Sequence, residues 1–133
     1  MRACRFLPVL FLACLALGLS ACSSARPEAT VEAFYRAAAK GDVERATGQV
    51  SFAEVPANRM VQAKGKVQMI VGEMQSRVEA NEGLEAIEVL ETEIDEAQGT
   101  ARVRTRVVFG NGKDTNETHR LVREDGDWKI VLR

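Results

Sequence analysis

Hydrophobic and polar residues follow three successive patterns along the chain. Residues 6–19 are an almost continuous apolar run, interrupted by Pro8. From Pro27 to Ala80 apolar residues recur every three or four positions, the helical period. Val31, Phe34, Tyr35 and Ala38 form one such face, and Met60, Val67, Val71, Met74 and Val78 form another, widened by Ile70. From Leu84 onward the period falls to two, which is that of half-buried strands.

The punctuation between these runs sets the elements. Pro27 suits the first position of a helix and Glu28 its positive end. Gly41 predicts a left-handed cap, and Asp42 predicts the N-cap of a short helix over 43–47. Ser51 and Pro56 mark a connection, and a long helix is expected over about 58–80. Gly65 and Gly72 suggest a break or a close packing contact within it. The Met60, Met69 and Met74 side chains are expected to pack inward. Four strands follow at 84–95, 100–109, 115–123 and 127–132, joined by turns at 96–99, 110–113 and 124–127. Asn111-Gly112 and Asp125-Gly126 between alternating runs are hairpin signals. Helices first and an antiparallel meander after define an α+β fold with the helices on one face of a four-stranded sheet.

The alternation also predicts register. Ala101, Val103, Thr105, Val107 and Phe109 point to the core, and Arg102, Arg104 and Arg106 point away. A two-residue loop at Asp125-Gly126 puts Leu121 opposite Ile130. Leu121 shares the core face with Val103 and Val107 only if the preceding hairpin has an odd loop, because a one-residue slip flips every side chain. This predicts a three-residue loop, 110–112, with Gly112 left-handed. Pairing Asp95 with Thr100 sets Glu93 against Arg102 and Glu91 against Arg104, at roughly 0.2–1 kcal/mol each. A straight continuation of that strand leaves Ile87, Val89 and Val108 as a small apolar patch on the open face.

The N-terminus changes the expected setting of this domain. Arg2 and Arg5, the apolar run and the small residues Ser20 and Ala21 have the order of a secretory signal, and the run is too short for a membrane span. Leu19-Ser20-Ala21-Cys22 resembles the lipobox of bacterial lipoproteins. The resemblance implies removal of residues 1–21, acylation of Cys22, and attachment to membrane lipid through it. Ordinary cleavage after Ser20 is the alternative. Three acyl chains exceed the two signals that stable anchoring takes. Ser23, with no Asp after the cysteine, leans by the same resemblance toward the periplasmic face of the outer membrane. Only residues 23–26 would then separate the lipid from the domain.

Composition narrows the chemistry. The three cysteines are Cys4, Cys14 and Cys22, so after processing no free thiol is expected for a disulfide, a metal or a nucleophile. Without Arg2 and Arg5 the 18 basic side chains fall to 16 against 19 acidic, a net charge of −3. That excludes the strongly basic face that nucleic acid calls for. Zinc spacings, phosphate loops, nucleophile elbows and dinucleotide fingerprints are missing from the sequence, and neither a cofactor nor a metal is expected.

The stretches PEATVEAFYRAAAKGDVERA (27–46), TARVRTRVVFGNGK (100–113) and LVREDGDWKIV (121–131) resemble the lipoprotein-associated "domain of unknown function 4878". That family is a branch of the nuclear transport factor 2-like (cystatin-like) superfamily. The resemblance implies a cone, with a curved sheet wrapped over the helices and a cavity that some relatives use for ligands or catalysis. Phe34, Tyr35, Val103, His119 and Trp128 are the candidate cavity-lining residues. His119 titrates near neutrality and Tyr35 can donate a hydrogen bond. The inner face shows no obvious carboxylate, Glu117 being placed near a strand end, and no catalytic residue is assigned. Arg102, Arg104 and Arg106 read as a solvated face. The expected function is a membrane-anchored envelope lipoprotein whose domain binds a small apolar ligand or a partner without catalysis. The alternatives are an isomerase- or cyclase-like enzyme and an accessory subunit of an envelope complex.

Overall fold

The computed structural model describes residues 26–132. The expected signal segment 1–21 and the lipidation site Cys22 lie outside the described residues. Three α-helices come first, α1 (Pro27–Ala39), α2 (Val43–Thr47) and α3 (Met60–Ala80). Four strands follow, β1 (Leu84–Asp95), β2 (Thr100–Phe109), β3 (Asp114–Glu124) and β4 (Asp127–Val131). They form one antiparallel sheet in the order β1-β2-β3-β4. This is the α+β meander that the period change predicts.

Local chemistry sets the boundaries. Pro27 opens α1, and Gly41 closes it with φ +71°. The Asp42 carboxylate accepts the Arg45 N–H at 3.0 Å and caps α2. A single 3-10 turn, Ala57–Arg59, leads into α3 where the sequence suggests helix from 58. α3 runs unbroken through Gly65 and Gly72, and nothing would touch a side chain at either. They mark neither a break nor a packing contact. Val67, Val71, Met74 and Val78 face the core as expected, but Met69 is mostly exposed, because it lies off that stripe.

α1 packs across β1, β2 and β4 and against α3. The core between them holds Val31, Phe34 and Tyr35 of α1, Val67 and Val71 of α3, and Val103, Val107, Leu121, Trp128 and Ile130 of the sheet. Burying an aliphatic or aromatic side chain of this size contributes roughly 1.5–3 kcal/mol. Trp128 is 2% exposed. Its carbonyl accepts the Thr30 hydroxyl at 3.0 Å, and the Arg123 guanidinium lies 4.5 Å from its ring.

Leu121 pairs with Ile130, and Ala101 with Leu121. The β2–β3 loop has three residues: Phe109 N–H donates to Lys113 O, and Gly112 has φ +84°. In β1, Glu93 lies opposite Arg102 and Glu91 opposite Arg104, as the alternation predicts. Beyond Glu91 the prediction fails. A bulge at Leu90 inserts one residue, so Val89 faces Thr105 and Ile87 faces Val107. Ile87 and Val89 therefore sit on the concave face, and the expected patch with Val108 does not form. In their place Glu88 meets Arg106, which also holds Asp114 at 2.6 Å.

Candidate functional site

The bulge-free strand β3 carries the polar end of a cavity. Parity puts Thr115, Glu117, His119 and Leu121 on its concave face, since their partners are the core-facing Val107, Thr105, Val103 and Ala101. α1 brings Tyr35 to the same place. Its Oη lies 2.7 Å from His119 Nε2, and the two rings meet edge to face with centroids 5.3 Å apart. α3 supplies Arg77, whose Nη1 lies 3.5 Å from Glu117 Oε1.

A cavity of about 530 Å³ adjoins these groups. That is within the roughly 300–1,000 Å³ of ordinary ligand pockets. Phe34, Ile70, Met74, Ile130 and Leu132 make its apolar wall, and Tyr35, His119, Glu117 and Arg77 make its polar end. Glu73, Arg102, Thr118 and Arg120 form an exposed rim.

Burial raises the Tyr35 phenol well above its ordinary value near 10, and the Glu117 charge pushes the same way. Burial lowers the His119 imidazole below its ordinary 6.5, with Glu117 opposing. The pair is thus a phenol and a neutral imidazole. In the Nδ1–H tautomer the Tyr35 O–H donates to Nε2. Thr105, fully buried, sets its hydroxyl beside the phenol without a well-formed hydrogen bond. General acid–base work at neutral pH favours groups that titrate near 7. A phenol held protonated and a carboxylate held by a guanidinium suit hydrogen-bond recognition better. Among the described residues no group of His, Cys, Asp and Glu is arranged to hold a metal.

Of the five candidate lining residues, Phe34, Tyr35 and His119 come together at this cavity. Val103 and Trp128 do not line it: both are closed into the core beneath α1. Glu117 belongs to the concave wall, well inside β3, and the expectation of an inner face without a carboxylate is corrected. Glu117 shares the parity of His119. Ile70, Glu73, Met74 and Arg77 have the i, i+3, i+4, i+7 spacing of one helix face, so a signal for the two charged α3 residues was present in the pattern.

The fold and this cavity define a cone-shaped α+β domain of the nuclear transport factor 2-like class. The sequence profile of the domain of unknown function DUF4878 matches residues 20–131, and the chain belongs to that family. A crystal structure of a Campylobacter jejuni protein described as an NTF2-like transpeptidase is similar, with a TM-score of 0.75 and 20% identity over 81% of this chain and 99% of that one. A SEC-C motif containing protein from Rhodopseudomonas palustris is similar at a TM-score of 0.52 and 16% identity, over 82% of this chain and 77% of that one. No curated protein matches the sequence.

Proposed function

We propose that this chain is a lipid-anchored envelope protein, favouring the periplasmic face of the outer membrane, whose domain binds a ligand or partner segment in the Tyr35–His119 cavity without catalysing a reaction. One observation carries the binding reading. An apolar wall ends in polar groups already committed to one another, Tyr35 to His119 at 2.7 Å and Glu117 to Arg77 at 3.5 Å. Such a site offers shape and hydrogen bonds to an occupant, while its proton-transfer capacity at neutral pH is small. The anchoring reading rests on Leu19-Ser20-Ala21-Cys22. Among the described residues no helix is long and apolar enough to cross a membrane, so attachment would rest on the acyl chains.

Native mass spectrometry of the detergent-extracted protein tests both parts. The expected spectrum shows a chain starting at Cys22 with acyl mass, and retained cargo that Tyr35→Phe or Met74→Arg releases. A water-soluble chain with an unmodified Cys22 refutes the anchor. A second reading, an isomerase- or cyclase-like enzyme, is favoured by one observation: His119, Tyr35 and Glu117 converge on one cavity. It requires turnover that Glu117→Gln abolishes while folding is retained.

A further inference from the structure

β4 is short. It pairs with β3 only from Arg120 to Glu124, whereas β3 begins at Asp114. Residues 114–119 are therefore paired on one side only, with β2. The direction of their free backbone groups can be derived. Ile130 N–H donates to Gln49 O and Ile130 O accepts from Ser51 N–H, both at 2.8 Å, so Ile130 turns its backbone away from β3. Its partner Leu121 then turns toward β2, as does Arg123 beside it, whose N–H donates to Gly99 O at 2.8 Å. Antiparallel alternation sets the N–H and C=O of Asn116 and Thr118 toward the free edge. Among the described residues nothing takes them there.

The sheet protects its other edges. A parallel bridge from Val50 covers the outside of β4. β1 carries its bulge and Glu85, Glu88, Glu91 and Glu93, devices that discourage strand pairing. The edge at Asn116 and Thr118 has no bulge, proline or lysine.

The two faces of this edge differ. On the concave side lies the apolar wall of Phe34, Ile70 and Met74. On the convex side Arg102 and Arg120 are cross-strand partners, and among the described residues neither has a carboxylate within ion-pair distance. Like charges set opposite each other destabilise a sheet. Both arginines nevertheless line the same cavity as Phe34 and Met74, because that cavity wraps around the end of β4. An added strand would send alternate side chains to the two faces. It would meet apolar surface with one set and two cations with the other.

We infer that the cavity is the side-chain pocket of a strand-addition site, which takes an extended segment of a partner protein with apolar and acidic residues in alternation. This rests on the proposed binding role of the cavity and names its occupant. Main-chain bonds to Asn116 and Thr118 hold the segment, an apolar side chain fills the pocket, and a carboxylate meets Arg102 and Arg120.

The test uses the full chain in lipid nanodiscs and an acetylated, amidated hexapeptide alternating Leu and Asp. Its controls are the same peptide N-methylated at every second amide, a Leu/Lys version, and oleate as an apolar small-molecule probe. The expected result is slowed amide exchange at Asn116 and Thr118 with the Leu/Asp peptide, and loss of binding by roughly tenfold or more on N-methylation. Arg120→Glu, an exposed change that removes a like-charge pair, is expected to weaken the Leu/Asp peptide and strengthen the Leu/Lys one. If oleate shifts the His119 resonances while millimolar peptide leaves exchange at Asn116 and Thr118 unchanged, strand addition is overturned and the cavity stands as a small-molecule site. Silence with both probes overturns the binding role as well. Protection of the same amides by rising protein concentration alone assigns the edge to a second copy and overturns the heterologous partner.

Discussion

Replacing Tyr35 with Phe tests how the polar end of the cavity is held. The ring stays, with its edge contacts to Phe34 and His119, and only the hydroxyl leaves. That hydroxyl is within 2.7 Å of His119 Nε2 on a residue 1% exposed. An intramolecular hydrogen bond contributes about 0.5–1.5 kcal/mol net, and a buried partner left unsatisfied costs about 1–3 kcal/mol. His119 is half-buried, so water replaces part of the loss. The expected destabilisation is about 1–2 kcal/mol, which for a domain of this size lowers Tm by roughly 5–10 °C. Urea unfolding followed by fluorescence measures it, since Trp128 is the single tryptophan and sits in the core. The sign of the pH effect is also fixed. The folded state keeps the Tyr35 proton beyond the ordinary value near 10, while the unfolded chain releases it, so wild-type stability falls as pH rises past about 10. Tyr35→Phe lacks this loss, and the gap between the two proteins narrows there. A Tyr35→Phe protein as stable as wild type at pH 7, with the same alkaline profile, would refute the reasoning.

Three further outcomes are expected. Stability should fall as pH drops below about 6.5, because the unfolded chain protonates His119 before the folded state does, and His119→Gln should flatten that slope in pH-dependent urea titrations. Leu121→Ala empties a fully buried position between α1 and the sheet, and guanidinium denaturation should show a loss of about 2–5 kcal/mol. Gly110→Ala would bring a methyl group into the Glu82 carbonyl where the β2–β3 loop meets the turn after α3, whereas at Gly112 only its left-handed φ of +84° opposes a side chain. Thermal melts should therefore rank Gly110→Ala, at about 1–3 kcal/mol or more, as costlier than Gly112→Ala, at about 1–2 kcal/mol.

The elements and most of the register were legible because the signals for them are local. A period of two fixes which side of a strand is apolar, and Gly112 and Gly126 fix where the chain reverses, so the odd loop at 110–112 followed from matching Leu121 to Val103. The bulge at Leu90 was not legible. A single inserted residue leaves no compositional mark, yet it turned Ile87 and Val89 from the open face to the concave one. The site was legible only in pieces. Tyr35 and His119 stood out by residue type, but their 2.7 Å contact joins positions 84 residues apart.

The sequence by itself determined the helices, the meander, the core-facing residues and the family. Only the tertiary structure decided that Arg77 neutralises Glu117, that Trp128 and Val103 close the core instead of lining the cavity, and that β4 ends early enough to leave Asn116 and Thr118 unpaired. The reason is physical. Periodicity and turn chemistry act between neighbours in the chain, whereas the meeting of α1, α3 and β3 depends on how far each element extends and how the sheet curves around the helices.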